Sequence, residues 1–110
     1  MSSDTRGVVL EAQAELERQQ TLWGEQNHKW GTSEQFYAPT REYYRNLCDD
    51  AQAKGWVTWG HILLEEVFEV MAEERPSSLR TELVQVAAVC LNWAEAIDRK
   101  IASTSEGGGV

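Results

Sequence analysis

The sequence has two cysteines, fewer basic than acidic residues and no long apolar run. Cys48 and Cys90 lie far apart and form no C-x-x-C pair, which favours reduced, partly buried thiols over a redox motif. The apolar runs are short and interrupted by charge, so we expect no transmembrane helix and no contact with a membrane. The N-terminus lacks an apolar stretch before a small-residue cleavage site, and we therefore expect a cytoplasmic protein.

Basic residues are scarce: 10 Lys and Arg stand against 18 Asp and Glu, which gives a net charge of −8. A surface of this sign repels a phosphate backbone and argues against a nucleic-acid polymer as the partner. A small phosphorylated ligand stays compatible, because a cation held by carboxylates can bridge an acidic protein and an acidic ligand. The sequence also lacks a G-x-x-x-x-G-K-[ST] phosphate loop and zinc-ligand spacing.

Glycine, proline and hydroxyl residues divide the chain into four helical stretches with no strand-like alternation. The expected helices are Val8–Trp23, Thr40–Lys54, Thr58–Glu74 and Leu79–Ile101. Residues 24–39 lack any period and are expected to form an ordered loop around their aromatic side chains. The pattern predicts an all-α fold, a helical bundle built on a long antiparallel hairpin of the third and fourth helices.

Domain organisation and association follow from the same pattern. Residues 1–102 are expected to form a single domain, and the Gly-rich residues 103–110 a disordered tail. Leu64, Phe68 and Met71 form a second apolar group on the third helix, well round from Glu66. One hairpin cannot bury both sides of that helix, so we expect a homo-oligomer of at least two copies.

Two glutamates fall inside the apolar faces of the third and fourth helices. Glu66 projects between apolar side chains of its helix, and Glu82 is flanked by Val89 and Trp93. Burial of an unpaired carboxylate costs several kcal/mol, which only a basic partner, protonation or a metal ion can offset. The basic residues of these two helices lie near helix ends. We therefore expect Glu66 and Glu82 to be buried, to face each other and to bind a divalent cation, the alternative being a solvated acidic face.

The letters EEVFE at 65–69, followed by ELVQ at 82–85, resemble the motif E-E-x-x-E then E-x-x-D of MazG-like nucleotide pyrophosphohydrolases. The resemblance covers about residues 59–98, and the phrase ERQQTLWGEQNH at 17–28 is similar to the opening of phage and actinobacterial members. It implies Mg²⁺-dependent hydrolysis of a nucleoside triphosphate, or a related nucleotide, to the monophosphate and pyrophosphate. It also implies an α-helical dimer or tetramer.

The resemblance assigns roles to particular residues. Glu66, Glu69, Glu82 and Gln85 would hold Mg²⁺, with Mn²⁺ as a substitute, and Glu65 would orient or deprotonate the attacking water. Asn92 matches a family position and is a candidate to bind substrate. Trp23, Asn27 and His28 are further candidates to contact the base or ribose, with loop packing as the alternative. One of the five tryptophans could stack on a nucleobase, and the sequence does not say which.

Gln85 departs from the family pattern, which has Asp at this position. A neutral amide still offers a carbonyl oxygen to Mg²⁺, but one negative charge is lost and metal affinity should fall. The departure supports an alternative to an enzyme, a non-catalytic MazG-like module that binds a nucleotide or serves a regulatory role. A third alternative, a purely structural helical adaptor, requires Glu66 and Glu82 to be exposed to solvent.

Overall fold

The computed structural model describes residues 2–108, which form four helices and no strand. The helices are α1 (Ser3–Trp23), α2 (Glu34–Ala53), α3 (Trp59–Ala72) and α4 (Pro76–Gly108). The expected all-α class is confirmed. None of the described helices combines the length and the apolar character that crossing a membrane requires.

Contacts divide the chain into two compact units. The first unit consists of residues 1–29 and 91–110, and the second of residues 30–90. α4 is one continuous helix of 33 residues that contributes its beginning to the second unit and its remainder to the first. The expectation of a single domain over residues 1–102 stays a prediction.

The first unit pairs α1 with the later part of α4. The Thr5 hydroxyl donates a hydrogen bond to Glu95 Oε2 over 2.7 Å. Val8, three residues after Thr5 on α1, is buried. α1 begins five residues earlier than expected because Ser2 is its N-cap and accepts a hydrogen bond from the Thr5 amide. It ends at Gly24, as expected, where the backbone takes a φ of 66°.

α2 begins at Glu34, so the expected start at Thr40 was wrong and Pro39 lies inside the helix. The Ser33 hydroxyl caps the helix by accepting from the Phe36 amide, and the Ser33 amide donates to the Met71 carbonyl over 2.9 Å. Pro39 removes one helical hydrogen bond, to the carbonyl of the exposed Gln35, which water can satisfy. The cap and the bond to α3 therefore determine where the helix begins.

The N-cap of α3 agrees with the sequence. Thr58 Oγ1 accepts from the His61 amide over 3.1 Å, while the Thr58 amide donates to His61 Nδ1 over 3.0 Å, which completes a capping box. α4 begins at Pro76 rather than Leu79, because the fixed φ of proline suits the first position of a helix. α4 continues past the expected end at Ile101.

The expected disordered tail, residues 103–110, overlaps the end of α4, which extends to Gly108. Residues 109 and 110 of the expected tail lie outside the described residues. The disorder of this tail stays a prediction.

α2 covers part of the apolar group that we expected to face a second copy of the chain. The Phe68 ring is stacked on Tyr44, with centroids 5.0 Å apart and planes 4° from parallel, and Tyr37 lies 6.3 Å away. Met71 is half-buried, whereas Leu64 remains 38% exposed. Phe68 therefore packs against α2 of the same chain, and we were wrong to count it among the residues that face a second copy.

Replacement of Phe68 by Ala should lower the free energy of unfolding by about 2–3 kcal/mol, because the stacked contact with Tyr44 and the apolar burial are both lost. Leu64→Ala, at an exposed position of the same helix, should cost less than about 1 kcal/mol. Urea unfolding at two protein concentrations measures both variants. A Phe68→Ala effect that changes with protein concentration would place Phe68 at an interface between copies and contradict the packing on α2.

Candidate functional site

The site lies within the second unit, where α3 and α4 bring two carboxylates to one amide. One terminal atom of the Gln85 amide lies 3.3 Å from Glu66 Oε2 and 3.0 Å from Glu82 Oε2. With the amide nitrogen at that place, Gln85 donates a hydrogen bond to each carboxylate. The expected approach of Glu66 and Glu82 is confirmed. The structure does not bear out their expected full burial. Both carboxylates are half-buried, and no charged residue among those described is fully buried.

The surroundings favour the neutral form of both carboxyl groups. Partial burial raises the pKa of Glu66, and the charges of Glu82, Glu65 and Glu69 raise it further. Partial burial likewise raises the pKa of Glu82, followed by the charges of Glu69 and Glu73, while Arg45 acts in the opposite direction. At neutral pH the site therefore concentrates negative charge that a proton, a hydrogen-bond donor or a cation would relieve.

Glu69 has a basic partner on α2. The Arg45 guanidinium donates from Nε to Glu69 Oε1 over 3.2 Å and also from Nη2, and this ion pair raises the pKa of Arg45. The sequence reasoning missed Arg45 because it considered only the basic residues of the third and fourth helices. The sequence feature that could have indicated this ion pair is the position of Arg45 in the middle of the preceding helix, next to Tyr44.

Glu65 is held by the buried thiol of Cys48. Burial raises the pKa of Cys48 to about 11, and its hydrogen bond to the Glu65 carboxylate adds to the effect. The thiol is therefore protonated at neutral pH and serves Glu65 as a donor. Both cysteines are free, as expected, although Cys90 is exposed.

The donor set of the site suits a hard cation. After a half-turn of the Gln85 amide, its oxygen lies 3.3 and 3.0 Å from the two carboxylate oxygens, so one amide oxygen and two carboxylate oxygens lie close together. Mg²⁺ prefers oxygen ligands and keeps several waters, so these three oxygens are of the chemical type that it binds. Among residues 2–108, however, no three His, Cys, Asp or Glu side chains converge as a ligand group. Glu69 would have to leave Arg45 before it could join.

The remaining sequence candidates belong to the first unit, whereas the acidic site belongs to the second. They are all exposed: Trp23, Asn27, His28 and Asn92. His28 Nε2 lies 2.9 Å from Gln26 Oε1, and the Asn27 amide donates to Glu25 Oε2 over 3.4 Å. Their contacts are thus local to the segment that follows α1, and their role in binding substrate stays a prediction.

Compared with models of known protein families, with curated proteins and with solved structures, the chain matches none of them. The MazG-like resemblance therefore stays a prediction.

Glu82→Gln should raise the melting temperature at pH 7 by roughly 2–5 °C in the presence of a chelator. The amide has nearly the same shape as the carboxylate but is not repelled by the neighbouring carboxylates. A raised folded-state pKa means that the wild type gains stability as pH falls from that value toward the ordinary 4.5. The advantage of the variant should therefore largely disappear by about pH 4.5. Glu11→Gln, at an exposed position of α1, serves as the matched control. A variant less stable than the wild type at pH 7 would contradict the repulsion.

Proposed function

We propose that the second unit carries a Mg²⁺-dependent nucleotide pyrophosphohydrolase site of the MazG-like kind, which hydrolyses a nucleoside triphosphate or related nucleotide to the monophosphate and pyrophosphate. The observation that carries the proposal is the convergence of Glu66 and Glu82 on the Gln85 amide. Carboxylate and amide oxygens that share one point are the donors that Mg²⁺ accepts. The resemblance at residues 65–69 and 82–85 supports the same assignment.

Charge supports the proposal as well. Glu66 and Glu82 form no ion pair with any residue in the described part of the chain, whereas Glu69 is paired with Arg45. Two carboxylates without a cation favour the binding of one, and the raised pKa of each reflects the same excess of negative charge. Mg²⁺ bound there supplies the positive charge that neutralises phosphate oxygens and stabilises charge developing during the reaction.

The chain's own residues perform the remaining tasks in this proposal. Glu65, oriented by the Cys48 thiol, accepts a proton from the water that attacks the α-phosphorus. The oxygen bridge between the α and β phosphates breaks, and pyrophosphate leaves with the bridging oxygen. Glu66 and Glu82 bind the cation together with Gln85. Glu69 joins them when it exchanges Arg45 for the cation.

The finer structural expectations belong to this proposal too. The three residues between α3 and α4 suit an antiparallel hairpin, and we propose that the hairpin carries the site. A homo-oligomer, a dimer or a tetramer, is supported by Leu64 on α3 and Val84 on α4, which are 38% and 56% exposed. We place the protein in the cytoplasm, in keeping with its two free cysteines.

One observation favours the alternative of a non-catalytic nucleotide-binding or regulatory module. With its nitrogen toward the carboxylates, the Gln85 amide satisfies Glu66 and Glu82 without any metal ion. Such a site could hold a ligand and leave the phosphates uncleaved. The orientation of this single amide in the presence of Mg²⁺ thus separates the two functions.

Pyrophosphate release from a panel of nucleoside triphosphates tests the enzyme. The wild type should release pyrophosphate only with Mg²⁺ or Mn²⁺, and Glu66→Gln and Glu82→Gln should each lower the rate at least about 100-fold because a metal ligand loses its charge. Glu11→Gln should retain the wild-type rate. Equal rates in all four proteins, or release without a divalent cation, would place the activity elsewhere.

Gln85→Glu keeps the length of the side chain and adds a carboxylate beside Glu66 and Glu82, and Gln85→Asp restores the residue of the family motif. If the site binds metal, either change should tighten Mg²⁺ binding by about 10-fold or more and raise the rate of pyrophosphate release. Melting curves with and without Mg²⁺, measured alongside the release assay, check this. Variants that are destabilised, indifferent to Mg²⁺ and inactive would leave the binding module as the function.

A further inference from the structure

A small apolar cleft opens in the second unit beside the acidic site. Its volume is about 290 Å³, and Val70 of α3 and Leu79 and Leu83 of α4 form much of its lining. Arg80 is the charged residue among those that line it, and Trp30 stands at its edge. Thr32 is a further polar residue of the lining, and an apolar cleft with a few polar groups that fix orientation is the usual form of a small-molecule site.

The cleft and the carboxylates occupy the same stretches of the same two helices. Val70 lies one turn after Glu66 on α3, and Leu83 directly follows Glu82 on α4. Leu79, which is 6% exposed, lies one turn before Leu83 and forms the floor of the cleft. A ligand seated in the cleft can therefore extend toward the carboxylates within the length of about one helical turn, roughly 5 Å.

Trp30 is positioned by the backbone on its C-terminal side. Gly31 has a φ of 74°, which glycine adopts without strain, and two residues later the Ser33 amide donates to the Met71 carbonyl of α3. The indole nevertheless remains 58% exposed and is stacked on no other aromatic ring among the described residues. An anchored but uncovered aromatic ring at the edge of a cleft is a platform on which a planar ligand can stack.

We propose that this cleft binds the base of the nucleotide, with Trp30 stacked on the base and Arg80 donating to acceptor atoms at its edge. Arg80 forms no ion pair with any described carboxylate, and its guanidinium has only donors. A guanidinium can donate two parallel hydrogen bonds, which suits a base with two adjacent acceptor atoms, of which guanine is the common example. The volume is at the low end for ligand sites, which suits a base rather than a whole nucleotide.

The placement of the phosphates rests on the proposed hydrolase function, but recognition of the base does not. Guanosine carries the base and no phosphate, so its binding tests the cleft in the absence of Mg²⁺. Tripolyphosphate with Mg²⁺ carries no base and tests the carboxylates alone. The two probes therefore report on the two proposals separately.

Titration of the full chain with guanosine and with adenosine, followed by the indole N–H resonances, measures the affinity of the cleft. Guanosine should bind more tightly than adenosine. Trp30→Ala should weaken guanosine binding by roughly 5- to 150-fold, the range expected for one stacked base, while Trp30→Phe should retain most of the affinity. Arg80→Gln should weaken guanosine binding and reduce its advantage over adenosine.

Trp56→Ala is the matched control, because Trp56 is also an exposed tryptophan, at 49%, and does not line the cleft. It should bind guanosine as the wild type does, and the circular dichroism of each variant shows that it has folded. If Trp30→Ala does not fold, Arg80→Gln decides the question when its affinity for guanosine is compared with that of Trp56→Ala.

The outcomes separate the two proposals. Guanosine binding that depends on Trp30 and Arg80, without any Mg²⁺-dependent binding of tripolyphosphate, supports the base site and contradicts the hydrolase. Absence of guanosine binding at millimolar concentration, or equal affinity in the wild type, Trp30→Ala and Arg80→Gln, overturns the base site. Chemical shifts at Trp30 that change with protein concentration alone would assign the cleft to a second copy of the chain and overturn it as well.

Discussion

Repulsion between carboxylates that apolar side chains keep partly out of water is the constraint on which the second unit depends. Glu66 and Glu82 reach the same amide, and burial together with neighbouring charge raises the pKa of each. A fold selected for stability alone has no use for such a pair, since two apolar residues would fit the same helical faces. The unfavourable charge is therefore the strongest indication that this surface binds a ligand.

α2 makes this concentration of charge compatible with a folded protein. Arg45 neutralises Glu69, the Cys48 thiol donates to Glu65, and Tyr44 stacks on Phe68. These three residues of α2 contact one face of α3, so α2 compensates the negative charge of α3 on that face. Glu66 lies on the side that approaches α4. The apolar cleft beside Trp30 lies about one helical turn from these carboxylates on the same helix pair, so the proposed ligand would place its base in the cleft and its phosphates near Glu66 and Glu82.

The features that were predictable from the sequence are those that local rules determine. Helical periodicity placed Glu66 and Glu82 on the inner faces of two consecutive helices, and Thr58 marked the start of α3. Tertiary contacts decided what the pattern could not reveal. The bond from Ser33 to α3 starts α2 ahead of Pro39, and the partners Arg45 and Cys48 come from a helix distant in sequence. Partial rather than full burial of Glu66 likewise depends on how closely the helices pack.

Paramagnetic broadening by Mn²⁺ tests the central claim most directly, because the effect falls steeply with distance from the ion. Titration of substoichiometric Mn²⁺ into the isotope-labelled protein should broaden the resonances of Glu66, Glu82 and Gln85 first, and excess Mg²⁺ should restore them. The adjacent exposed carboxylates Asp49 and Asp50 on α2 provide an internal comparison. Broadening that begins at Asp49 and Asp50, or that spreads evenly over the acidic surface, would contradict a metal site between α3 and α4.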